Sequence, residues 1–134
     1  MTQLRISEAA ALLGVSDDTV RRLIDRGELE ANSDGDGPQT VDGAALAKLA
    51  VERAKAAPDP SPVLSSARNH FVGIVTRVQL DGVMAQIDLQ AGPHRIVSLI
   101  SAEAARELGL EVGTLATAVV KATNVSVETV GDGR

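Results

Sequence analysis

In the stretch Val83-Met84-Ala85-Gln86-Ile87-Asp88-Leu89 the odd-numbered residues are all apolar. Side chains alternate across a pleated chain, so these residues share one face of a strand. Asp81-Gly82 just before it is a two-residue hairpin signal, joining it to a strand over 72–80. On the other side, Ala91-Gly92-Pro93 turns the chain into a third strand over 95–100. Ser101 then caps a short helix that ends at Leu108, with Gly109 beyond it. Gly113 precedes a strand through Lys121, and Val125 and Val127 mark a last one. The order β-β-β-α-β-β predicts a small five-stranded barrel of the OB type with one short helix. Such a barrel buries a modest core. Val75, Val97, Leu99 and Val119 are read as outward apolar residues, so self-association is expected.

Upstream the periodicity changes. Residues 58–65 read PDPSPVLS, with Pro58, Pro60 and Pro62 alternating. That stretch fits an extended spacer and neither a helix nor a central strand. Before it, Ser7 is read as the N-cap of a short helix that stops at Gly14, with Glu8 in its first turn. Ser16 caps a second helix in which Val20, Leu23 and Ile24 form the buried stripe and Gly27 closes the end. Arg21, Arg22, Asp25 and Arg26 fall off that stripe. Residues 31–40 are rich in turn formers and are read as a hairpin or wing. Asp42 caps a third helix through about residue 57, with Leu46, Leu49 and Ala50 inward.

The chain is thus read as α+β, in two small domains. A winged helix-turn-helix is expected over 1–57, a Pro-rich linker over 58–65, a barrel over 66–128 and a flexible tail over 129–134. The 134 residues contain no cysteine, which excludes disulfides and thiolate metal sites. One Phe (Phe71), with no Tyr or Trp, cannot build a base-stacking platform for single strands. The net charge of -5 argues against broad, non-specific nucleic-acid binding. No apolar run is long enough to cross a membrane, no signal peptide is evident, and a cytoplasmic location is expected.

Several constellations are read as ordinary structure. His70 and His94 are the only histidines and have no acidic partner at metal-ligand spacing, so no metal site is expected. Ser66 and Lys121 lack the strained elbow that a nucleophile pair needs, and no enzyme is expected. Residues 33–37 (SDGDG) lack the full spacing of a Ca²⁺ loop. Met84 is read as a packing residue.

The stretch SSARNHFVGIVTRV from Ser65, with VVKATNVSV from Val119, resembles the TOBE (Mop, molbindin-like) domain of molbindins and molybdate-responsive regulators. The middle segment LISAEAARELGLEVGTLATAVVKA fits as well, and the resemblance covers 66–128. It implies binding of a tetrahedral oxyanion, molybdate or tungstate, between subunits of a homo-oligomer, either a dimer or a hexamer. A dianion asks for fixed cations with N–H and O–H donors, away from carboxylates. Ser66 and Arg68 at one end, with Lys121 and Thr123 at the other, supply two cations and two hydroxyls. Backbone N–H groups near Ala67, Asn69 and Ala122 could complete the shell, with Asn69 mainly ordering the turn.

The stretch LRISEAAALLGVSDDTVRRLIDRGEL from Leu4 resembles the excisionase/MerR-type winged helix-turn-helix. That resemblance implies double-stranded DNA as a partner, with Ser16, Thr19 and Arg22 at bases or phosphates and Arg21 and Arg26 at phosphates. The chain departs from the pattern at the wing, where Asp34 and Asp36 replace the basic residues common in the family. Few basic contacts imply weak binding per monomer. Together the two resemblances imply a molybdate-responsive transcriptional regulator. The alternatives are a molybdate storage or buffering protein whose helical half serves assembly, and an architectural DNA-binding factor with a barrel used for oligomerisation.

Overall fold

A computed structural model describes residues 2–33, 37–60 and 63–130. The chain divides into two compact units, Met1–Lys55 and Ala56–Arg134.

The first unit begins with strand β1 (Gln3–Arg5), followed by helices α1 (Ile6–Leu13) and α2 (Asp17–Asp25). Strands β2 (Ala31–Asn32) and β3 (Thr40–Asp42) then lead into helix α3 (Gly43–Arg53). Both β1 and β2 pair antiparallel with β3, giving a three-stranded sheet in the order β1-β3-β2. Residues 34–36, which include the Asp34 and Asp36 of the expected wing, lie outside the described residues. Gly14 adopts φ +70° after α1, a left-handed turn that a side chain would strain, so the two helices meet at a tight corner. Val20, Leu23, Leu29, Val41, Leu46 and Leu49 close a core with Ala9 and Ala10.

Two helix ends differ from expectation. Helix α1 starts at Ile6, and its N-cap is Arg5, not Ser7. The Glu8 carboxylate accepts the Arg5 N–H at 3.0 Å, so the residue three before Glu8 takes the cap position. Helix α3 stops at Arg53, short of residue 57. Beyond Leu49 and Ala50 it has no further inward apolar residue, since Val51, Glu52 and Arg53 are all exposed. With nothing left to bury, Ala54 turns to an extended conformation.

In the second unit, strands β4 (Asn69–Leu80), β5 (Met84–Ala91) and β6 (His94–Ser101) are followed by helix α4 (Ala102–Glu107) and strand β7 (Leu115–Val120). They form one antiparallel sheet in the order β6-β5-β4-β7. The long β4 pairs with β7 through its first half and with β5 through its second. The sheet curls around Val75, Ala85, Ile87 and Leu89, with Ala105 of α4 against them. The curl brings backbones close at Gly73, where a Cβ would lie 2.5 Å from the Gln90 carbonyl oxygen.

Three expectations for this half are corrected. Four strands are present among the described residues, not five. After β7 a short 3₁₀ turn (Ala122–Asn124) carries the chain off the sheet, and Val127 beyond it is 91% exposed. Val75 faces the core at 1% exposure and not outward. A bulge between Val75 and Arg77 inserts one residue into β4, so the inward face passes from odd to even positions and Val78 takes over beyond it. The β4–β5 turn is shifted by one residue, because Asp81 N–H bonds to Met84 O and leaves Gly82-Val83 at the tip. The Asp81 carboxylate accepts the N–H groups of Val83 and Met84, an Asx turn that leaves Val83 exposed.

Candidate functional site

The pairing of β4 with β7 organises one end of the second unit. Asn69 and Val120 are register partners, and the Asn69 side-chain amide donates to Val120 O at 3.2 Å. One step beyond this pair lie Arg68, just before β4, and Lys121, just after β7. Antiparallel pairing therefore brings 66–69 and 121–123, which are about fifty residues apart in sequence, to the same end of the sheet. Lys121 is the N-cap of the 3₁₀ turn, whose Asn124 N–H donates to Lys121 O at 2.9 Å. Ser66, Arg68, Lys121, Ala122 and Thr123 are exposed, Asn69 is half-buried, and Ala67 is buried. No carboxylate occurs within either segment. This donor set, two cations and two hydroxyls, suits a dianion. The Ala67 N–H is already engaged by Ser65 Oγ at 3.1 Å, which leaves the side chains and the other amides as donors.

Two neighbours of this end have no periodic signal in the sequence. His70 Nε2 lies 3.0 Å from Ala67 O. A carbonyl can only accept, so Nε2 carries the proton. The other ring nitrogen lies 3.9 Å from an Asp59 carboxylate oxygen, and Thr117 Oγ1 donates to the second Asp59 oxygen at 3.3 Å. Asp59, Pro60 and Val63 line a groove of about 590 Å³ together with Leu115, Thr117 and Val119. His70 thus has an acidic neighbour, contributed by the Pro-rich stretch and invisible to a spacing argument. Among the described residues no cluster of His, Asp or Glu could hold a metal ion.

On the far side of the sheet Asp88 is buried at 5% exposure. Its carboxylate accepts from Gln86 Nε2 at 3.1 Å and from Arg95 Nε and Nη2 at 3.0 and 2.9 Å. The Gln86 amide, and then the Arg95 guanidinium, hold the Asp88 carboxyl below the usual carboxylate range. This cluster ties β5 to β6.

In the first unit, Ser16 Oγ accepts Thr19 N–H at 3.2 Å and lies 3.0 Å from Thr19 Oγ1. Both hydroxyls sit at the head of α2. Arg21 pairs with Asp18 at 3.2 Å, and Arg26 approaches Glu28 at 4.0 Å. Arg22 is exposed and has no ion-pair partner among the described residues. Val20 and Leu23 are buried on the opposite side of the helix, so the exposed face carries Arg22 and Arg26 one turn apart.

The TOBE domain model matches residues 65–127, and a helix-turn-helix domain model matches residues 4–37. Molybdenum-pterin-binding protein 2 of Clostridium pasteurianum is 41% identical over 63 residues, which is 46% of this chain and 93% of that protein. A probable molybdenum-pterin-binding protein of Haemophilus influenzae is 40% identical over 63 residues, 46% of this chain and 91% of that protein. Among solved structures, a molybdate binding protein from Sporomusa ovata is 30% identical, with a TM-score of 0.49 over 50% of this chain and all of that one.

Proposed function

The chain belongs to the TOBE-domain family, and we propose that it is a molybdate-responsive, DNA-binding regulator without catalytic activity. Ser66, Arg68, Lys121 and Thr123 hold the oxyanion, Asn69 locks the two segments together, and Ala67 and Ala122 shape the backbone around it. The carrying observation is the Asn69–Val120 pair, which sets an Arg and a Lys at one end of the sheet with no carboxylate in either segment. The names of the relatives, which bind molybdenum compounds, support the ligand class. Molybdate and tungstate carry the same charge and similar bulk, so either satisfies this donor set.

The ligand-holding residues are exposed in one chain, and an anion held only there would stay hydrated. A second copy covers it. Strands β6 and β7 are the open edges of the sheet and carry exposed Val97, Leu99, Leu115 and Val119. Assembly through these edges, as a dimer or a hexamer in the cytoplasm, also gathers several helix-turn-helix heads and raises their effective concentration on paired half-sites of double-stranded DNA. Ser16, Thr19 and Arg22 read bases or phosphates, and Arg21 and Arg26 grip phosphates. Coupling between anion and operator is reciprocal.

The test is isothermal titration of anion-free protein with molybdate, with sulfate and phosphate as controls, followed by gel shifts on its own upstream DNA with and without molybdate. Saturable binding of molybdate alone and a molybdate-dependent shift are expected. Absence of heat removes the ligand. Molybdate binding without any DNA shift favours a storage or buffering role, which the Arg21–Asp18 pair at the head of α2 supports by occupying one DNA-facing cation.

A further inference from the structure

The segment leading into the barrel is fastened to it at a point that touches the proposed anion loop. Asp59 sits in that segment, four residues beyond the end of the first compact unit. Its carboxylate accepts from the Thr117 hydroxyl on β7, and its other oxygen lies 3.9 Å from His70 Nδ1 on β4, an ion pair when the imidazole carries both protons. His70 and Asp59 side chains are each about one-third exposed, at 34% and 33%. The same imidazole reaches with its other nitrogen to Ala67 O. One side chain therefore bridges the linker and the 66–69 loop.

The peptide plane makes this bridge directional. The Ala67 carbonyl and the Arg68 N–H belong to one planar unit, and no peptide bond here is cis. In a trans peptide those two groups point in opposite directions. An anion that accepts from the Arg68 amide turns that N–H toward itself, and the Ala67 carbonyl must then point away, where His70 waits for it. Occupancy of the loop and engagement of His70 thus favour the same orientation. This supplies the differential contact that any ligand-driven change requires.

We propose that Asp59, His70 and Thr117 form a clasp that fastens the interdomain linker to the barrel, and that anion occupancy of the 66–69 loop tightens it through His70. The relay to the anion rests on the reading of 66–69 and 121–123 as the oxyanion site, whereas the clasp stands on its own contacts. With the clasp closed, the tether that follows α3 is anchored at Asp59; with it open, the anchor retreats to Ala67. On square-root scaling the reach of the tether then grows by roughly half, and the effective concentration of one head near its neighbour's half-site falls about fourfold. His70 acts here as a positioning residue for the linker.

The chain has no cysteine, so an Ala57→Cys variant takes a single thiol-reactive fluorophore on an exposed linker position. Time-resolved anisotropy of the full-length labelled protein reads linker mobility with and without molybdate, and titration calorimetry reads molybdate affinity on the same samples. The wild-type background should show a restrained probe that molybdate restrains further. Asp59→Ala should free the probe and abolish its response to molybdate, and molybdate affinity should fall by the same factor by which molybdate closes the clasp in the parent. His70→Gln keeps a donor for Ala67 O but cannot hold Asp59, and should free the probe in the same way. A probe equally mobile in the parent, Asp59→Ala and His70→Gln overturns the clasp. Variants that free the probe in a protein that binds no molybdate uphold the clasp and overturn the relay together with the proposed ligand. Variants that free the probe yet keep the parent's molybdate response overturn the relay through His70 alone.

Discussion

Asn69 and Val120 face each other across β4 and β7, and the Asn69 amide closes the pair by donating to the Val120 carbonyl. This contact closes the β4–β7 ladder at the end where Arg68 and Lys121 follow, each the next residue beyond it. Asn69→Ala removes one partly buried hydrogen bond, a loss of about 1 kcal/mol in stability. Its effect on ligand binding should be larger, since both halves of the proposed anion shell lose the contact nearest to them. Molybdate affinity is expected to fall about tenfold or more by calorimetry, comparable with the loss of a supporting contact behind a ligand. Equal affinity in a folded Asn69→Ala protein would remove Asn69 from the site.

Gly73 immediately precedes Ile74, the residue at which β4 passes from β7 to β5. A Cβ there would meet the Gln90 carbonyl oxygen at 2.5 Å and its carbon at 3.0 Å, both backbone atoms that cannot swing aside. Gly73→Ala should destabilise the second unit by about 1–3 kcal/mol, the range for overpacking. Urea unfolding followed by far-UV circular dichroism reads it. A midpoint unchanged from the parent would mean that the curl of the sheet tolerates a wider spacing.

Three of the four α-helical N-caps, the hydrophobic stripe of α2 and the alternation of β5 are legible in the sequence, because each rests on a local pattern; the cap of α1 is not, since Arg5 and not Ser7 takes it. Ser16, Asp42 and Ser101 cap the helices that the spacing assigned to them. What escaped is non-local. Val75 was read as outward because a bulge, set by how β4 must bend between two partners, has no signature in composition. A fifth strand was expected from Val125 and Val127, but an alternating segment forms a strand only where an edge receives it, and the 3₁₀ turn at Ala122–Asn124 leads it away. The candidate anion residues were legible through resemblance and composition. Their juxtaposition depends on a register between β4 and β7 that only the fold supplies. Asp59 was hidden for the same reason, as a linker residue whose partners lie on two strands.

Asp88 gives the sheet a dependence on acid. Its folded carboxyl titrates below the usual range, because the charged form accepts from Gln86 and Arg95. A depressed folded value means that the stabilisation is complete above the usual carboxylate range. It is lost as pH falls through the folded value. Asp88→Asn should therefore lower the urea midpoint near neutral pH. The gap from the parent should narrow on the acid side of the usual carboxylate range. A gap that stays constant down to strongly acidic pH would assign the effect to packing and not to charge.

The proposed DNA binding turns on which arginines of α2 are available. Arg22 is exposed without an ion-pair partner among the described residues, whereas Arg21 is held by Asp18 at 3.2 Å. Arg22→Ala should weaken binding to upstream DNA about tenfold, and if the contact is to a phosphate the salt dependence should become shallower by roughly one unit of slope. Arg21→Ala should cost less, because Asp18 already engages its guanidinium and leaves it less free for a phosphate. Asp18→Asn gives the sharper discrimination. It releases Arg21 and removes a negative charge from the end of the helix proposed to face DNA, so it should strengthen binding and steepen the salt slope. The exposed Arg21–Asp18 pair contributes at most about 1 kcal/mol to folding, so stability should hardly move. Fluorescence anisotropy on labelled duplex across a salt series measures both quantities at once. If Asp18→Asn left affinity and slope unchanged while Arg22→Ala had no effect, α2 would not be the DNA-reading helix, and the first unit would serve assembly.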